Sequence, residues 1–195
     1  MGKGRLEAFS DGVIAIIITI MVLELKVPHG SDLASLRPLL PVFLSYVLSF
    51  VYVGIYWNNH HHFLHAARHV NGRVLWANLH LLFWLSLFPF ATAWMGENHF
   101  APVPVALYGA VLLMAAIAWR PFQSAIIAAD GGSNSELARA VRGHDWKGIA
   151  PLVLYAAAIP LAFVHPAISG MLYVAVAVMW FVPDRRIEAR IEHRP

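Results

Sequence analysis

The chain has 195 residues, of which 59% are hydrophobic and 13% charged, with a formal net charge of +3 and no cysteine. Those proportions exclude an ordinary soluble domain. The missing thiols exclude disulfides, thiolate metal sites and cysteine nucleophiles.

A helix needs roughly 20 mostly apolar residues to cross a bilayer, because every backbone amide must find its partner within the segment. On that measure six spans are expected, at 8–27, 39–57, 74–95, 100–119, 149–164 and 167–182, in one transmembrane domain covering 1–195. The opening "MGKGR" resembles a signal peptide, but Glu24 and Lys26 interrupt the place where a cleavage site belongs, so an uncleaved first helix is expected.

Between the second and third spans, "NNHHHFLHAARHVNGR" reads as a polar connection. The loop 120–148 is the longest soluble-looking piece, and its Ser133-x-x-Glu136 pattern predicts a short capped helix. Neither connection holds a separate catalytic domain, so function must sit among the helices, and no enzyme is expected.

With the N-terminus inside, the inner side carries Lys3, Arg5, Arg68, Arg73, Arg120, Arg139, Arg142, Lys147, Arg185, Arg186, Arg190 and Arg194, against Lys26 and Arg37 outside. That asymmetry predicts both termini in the cytoplasm of a multi-pass cell-membrane protein. It also assigns the basic charge to orientation and anionic lipid, not to nucleic acid.

Within the first helix, positions three, four and seven apart share a face. Gly12, Ile16, Thr19, Ile20 and Leu23 form one such face, with the only hydroxyl of the apolar core run. Asp11, Ala15, Ile18 and Val22 form its neighbour, where the small Ala15 allows close helix approach. The plainest reading of Ser10-Asp11-Gly12 is an N-cap, and that of Thr19 is a hydroxyl bonded back one turn.

Arg5-x-x-x-Phe9-Ser10-Asp11-Gly12, followed by a branched apolar run ending in "VLEL", resembles the signature of the transmembrane protein 175 family. "YWNNHHHF" at 56–63, "RVLWANLHLLF" at 73–83 and Pro89-Phe90 resemble the second and third helices of the same family, so the likeness covers about the first 95 residues. It implies an all-α, six-helix potassium-selective channel, a homotetramer whose first helices line a central pore. Potassium and other monovalent cations would be permeant ions, and no cofactor is implied.

The resemblance also implies that Ile16 is the constriction, with Thr19, Ile20 and Leu23 continuing the wall and Gly12 at its inner end. A ring of branched side chains replaces the carbonyl filter of ordinary potassium channels, whose loop this sequence lacks. Arg5, Phe9, Ser10 and Asp11 would belong to a structural network at the cytoplasmic end. His61, His62, Trp76 and Asn78 are the expected partners of Asp11.

Eleven histidines raise the question of a metal, above all His61, His65 and His69 at four-residue spacing. One cluster without nearby carboxylates falls short of a metal enzyme, so no metal is expected. His80, in the third span, reads as a buried helix-contact residue. Trp57, Trp76, Trp94, Trp119, Trp146 and Trp180 read as interfacial anchors, and Pro89 and Pro160 as potential kinks. The rival functional reading is a secondary transporter, which would need matched interrupted helices in an inverted repeat.

Overall fold

The computed structural model describes residues 2–67, 69–132, 135, 138–139 and 145–181, without the side chains of 145–147 and 181. Among these residues all regular structure is helical. It comprises α1 (Lys3–Leu23), a 3-10 turn (Leu33–Leu39), α2 (Leu40–Ala66), α3 (Gly72–Ser86), α4 (Phe88–Glu97), α5 (Pro102–Ala129), α6 (Asp145–Val164) and α7 (Pro166–Phe181). Ser133, Glu136, Arg68, Arg142, Arg185, Arg186, Arg190 and Arg194, with the end of the sixth expected span, lie outside the described residues.

Among the described residues four stretches are long and apolar enough to cross a membrane: Lys3–Leu23, Leu33–Ala66, Gly72–Glu97 and Pro102–Ala129. Two shorter apolar stretches, Gly148–Val164 and Pro166–Trp180, follow them.

Several boundaries differ from the sequence-based expectation. The first helix begins at Lys3 with Gly2 as its cap, so Ser10-Asp11-Gly12 sits two turns inside the helix and caps nothing. The second continues through the histidine run to Ala66, since no helix breaker intervenes before that point. His69 lies beyond that end and shares no helical face with His61 and His65. The fourth runs ten residues past Trp119, through Pro121.

The third span is broken. Helix α3 stops at Ser86, Leu87 is a turn residue, and α4 resumes with Pro89 in its first turn. Proline has no N–H and clashes with the preceding turn, which makes this the natural breakpoint. Pro160 and Pro151 lie within α6, which continues through both.

Small residues bring the helices together. A Cβ on Gly96 would sit 2.6 Å from the Val42 Cα and 2.5 Å from the Ser45 Oγ, so α4 lies against α2 at a distance only glycine permits. Nearby, Ser49 Oγ lies 2.6 Å from Thr92 Oγ1 and 3.0 Å from Tyr108 Oη.

Beside Tyr108, Tyr173 Oη donates to the Val105 carbonyl at 3.0 Å, directly over Gly109. Tyr52 Oη donates to the Tyr173 carbonyl at 2.6 Å. Buried hydroxyls are thus bonded to protein acceptors, as a low-dielectric interior requires.

Candidate pore-lining face and its anchoring network

Helix α1 has two unlike sides. Leu6, Ser10, Ile14, Ile17 and Met21 are buried against the rest of the chain. Gly12, Ile16, Thr19, Ile20 and Leu23 point the other way, with Ile16 57% and Leu23 79% exposed. The face read from sequence spacing is therefore the one that this chain leaves uncovered. A Cβ on Gly12 would meet nothing within 4 Å, so packing inside the chain does not require the glycine.

Thr19 Oγ1 donates to the Ile16 carbonyl at 2.9 Å, the back-bonded arrangement expected of a membrane-helix hydroxyl. Its proton is spent inside the helix, which leaves the oxygen's acceptor lone pairs outward on the same face as Ile16.

The buried side of α1 is fastened by a polar clip joining three helices. Ser10 Oγ donates to the Leu6 carbonyl at 2.9 Å and accepts from Asn78 Nδ2 of α3 at 3.0 Å. Asn78 Oδ1 lies 2.7 Å from His60 Nε2 of α2, and the His60 ring stacks on Phe122 of α5 with centroids 4.9 Å apart. Ser10, Asn78 and His60 are all 1% exposed or less. Satisfied networks of this kind fix one register, because a slip strands several buried polar groups at once.

His60 is absent from the sequence-derived set. The signal was present: His60 continues the buried stripe Ser45, Ser49, Val53 and Leu64 along α2.

Asp11 takes a partner from outside its expected set. Its Oδ1 accepts from Trp57 Nε1 of α2 at 3.0 Å, so Trp57 is a hydrogen-bond donor to the motif and not a bare interfacial anchor. His61 stacks on Trp57 at 6.2 Å and on His65 at 6.0 Å, both imidazoles being exposed. Of the expected network, the structure brings Ser10 and Asn78 together. It places Arg5, Phe9, His62 and Trp76 at the surface of the chain.

Contacts at the two ends of α1 define its setting. At its N-terminal end Lys3 Nζ donates to the His65 carbonyl at 2.6 Å. Beyond its C-terminal end Lys26 Nζ lies 2.7 Å from Glu97 Oε1, and that hydrogen bond raises the Lys26 ammonium above the usual lysine range. In the connection that follows, hydrogen bonds from Ser35 hold the Asp32 carboxyl below its ordinary value.

His80 is not buried. It is exposed on α3, and its Nε2 accepts from Trp84 Nε1 at 3.1 Å. Among the described residues no group of three or more His, Cys, Asp or Glu is arranged to hold a metal ion.

Similarity to known proteins decides the family. The family model described as "Endosomal/lysosomal potassium channel TMEM175" matches residues 5–89. A potassium channel of Chryseobacterium sp. (strain P1-3) is 55% identical over 192 residues, covering 98% of this chain and 99% of that protein. The chain belongs to the TMEM175 family.

A crystal structure described as a lysosomal potassium-selective channel TMEM175 homolog, from Chamaesiphon minutus, superposes with a TM-score of 0.78 at 28% identity. It covers 92% of this chain and 96% of that one. The endosomal/lysosomal proton channel TMEM175 of Homo sapiens is 38% identical over 96 residues, which is 43% of this chain and 19% of that protein. The matched region of the TMEM175 family model contains α1 from Arg5 onward, the clip and the Trp57–Asp11 bond.

Proposed function

We propose that this TMEM175 family member is a potassium channel in which four copies place α1 around a common axis. Each chain would span the membrane six times, as one domain, with both termini in the cytoplasm of a cell-membrane protein. One observation carries the reading. The exposed side of α1 is a continuous branched apolar strip broken only by an outward-facing hydroxyl, while its other side is locked into the chain by buried hydrogen bonds.

Four copies of Ile16 around an axis make a constriction that offers an ion no ligand and expels water when narrow, which is a gate. Opened slightly, it favours the cation that sheds hydration water most cheaply. Thr19 stands one turn outward, and its lone pairs orient the water that replaces part of that shell. Gly12 keeps the inner entrance wide, and Ile20 and Leu23 extend the wall outward. The Ser10–Asn78–His60 clip and the Asp11–Trp57 bond hold each α1 at fixed rotation, so that Ile16 faces the axis.

Liposomes containing the pure protein under a potassium gradient test this reading. The expected reversal potential lies near the potassium equilibrium value and moves little when external sodium replaces an inert cation. A current that follows the proton gradient instead, or saturable flux without current, would refute potassium channel function.

A further inference from the structure

The exposed face of α3 holds a polar group that a lipid-facing surface does not accommodate. His80 lies eight residues into its span, about 12 Å from the inner end at the α-helical rise. Trp84 donates to its Nε2, so the ring proton is on Nδ1, and that N–H has no hydrogen-bond acceptor among the described residues. Hydrocarbon offers it no acceptor. By contrast, the exposed residues of α7, Ile168, Met171, Val174 and Val178 among them, are apolar throughout.

The same face runs outward into a groove of about 450 Å³ between α1 and α4, lined by Ile20, Glu24, Phe90, Trp94 and Glu97. The groove borders one flank of the α1 strip. The opposite flank, where Asp11 meets Trp57, borders the exposed ridge of α2 that carries Val47, Phe50, Trp57 and Asn58. Copies related by rotation about a common axis meet head to tail, so one flank of each faces the opposite flank of the next.

Register supplies the pairing. The Ser49–Thr92 and His60–Asn78 contacts fix α2 antiparallel to α3 and α4 and set position 58 level with position 80, and position 50 level with position 90. Rotation about an axis normal to the membrane preserves height, so these levels hold between copies as well as within one. Asn58 is exposed, and its side-chain carbonyl is an acceptor of the kind that the His80 N–H requires.

Resting on the α1-lined assembly proposed above, we propose that the α2 ridge of one copy seats in the α1–α4 groove of the next, with Asn58 of one copy accepting from His80 Nδ1 of its neighbour. The occupant of the groove is thus a second copy of this chain and not lipid.

The absence of cysteine from the sequence makes this directly testable. Asn58→Cys and His80→Cys are placed on separately tagged full-length chains, co-expressed, and oxidised in native membranes. The expected result is a reducible mixed-tag dimer at twice the monomer mass, present in the mixture and absent from either variant alone. Phe50→Cys with Phe90→Cys is read in the same way, and a Val178→Cys partner replaces His80→Cys as the lipid-facing control.

Failure of both mixed pairs, or equal dimer with the control, overturns the proposal. An Ile16→Cys chain, whose copies cross-link to themselves around an axis, separates the two claims. If it cross-links while both mixed pairs fail, the α1-lined pore stands and this interface falls.

Discussion

The two halves of the chain solve the membrane problem differently. From α1 to α4, polar side chains appear on both the buried and the exposed sides: Ser10, His60 and Asn78 within, and Thr19, Glu24 and His80 without. Within α6 and α7 themselves, the exposed side chains among those described are apolar, and the interior polarity is a few hydroxyls bonded to carbonyls, such as Ser169 to Ala158 at 2.7 Å. Polar groups in a bilayer are retained where they contact each other, water or another subunit. In the channel proposed above, the first half would carry the ion path and the assembly surfaces, and the second half would face lipid. The family model matches the first half alone.

Substitutions that break this division rank by what the site can absorb. Gly96→Ala has the largest expected effect on folding, because the new methyl would meet the Val42 backbone, which cannot swing aside as a side chain can. Overpacking of this kind costs about 1–3 kcal/mol. Fluorescence-detected size exclusion after heating reads it as an early loss of the assembled peak.

Asn78→Leu comes next. It leaves Ser10 and His60 buried without their shared partner, an expected loss of about 2 kcal/mol of assembled-protein stability. The same heating assay measures it, and unchanged stability would mean that the clip does not hold α1, α2 and α3 in register.

Asp11→Ala removes the acceptor of the Trp57 indole at a partly exposed site, and about 1 kcal/mol is expected. Assembly should weaken while ion preference stays the same. A stable assembly with altered preference would move Asp11 from the scaffold into the ion path.

Val178→Leu on the α7 surface should change melting by less than about 0.5 kcal/mol and leave reversal potentials untouched. A large effect there would erase the contrast between the halves.

Much of this contrast was legible in the sequence. Helical spacing alone isolates the Gly12–Ile16–Thr19–Leu23 strip, since a residue's face depends only on the 3.6 periodicity and not on where the helix starts. Sequence and structure part where the local signal is ambiguous. Ser10 looks like a cap because serine and aspartate usually are, yet a buried asparagine 68 residues away gives the hydroxyl a better partner.

The histidine run looks like a loop because it is polar. It is instead the C-terminal extension of α2, with His60 buried and His61 and His62 exposed. His80 was expected to be buried because it lies within an apolar span, but burial within one chain follows the face and not the hydropathy. Trp57 satisfies Asp11 through a tertiary approach of α2 to α1 that no spacing rule encodes.

The central claim is that Ile16 decides which cations pass. Reversal potentials and unitary currents of Ile16→Asn, measured beside the parent protein in planar bilayers under opposed potassium and sodium, address it most directly. The account predicts a larger current and a reversal potential displaced toward zero, because the amide ring stays wet and no longer penalises hydrated sodium. An Ile16→Asn protein that assembles normally yet keeps the parent's current and reversal potential would contradict it.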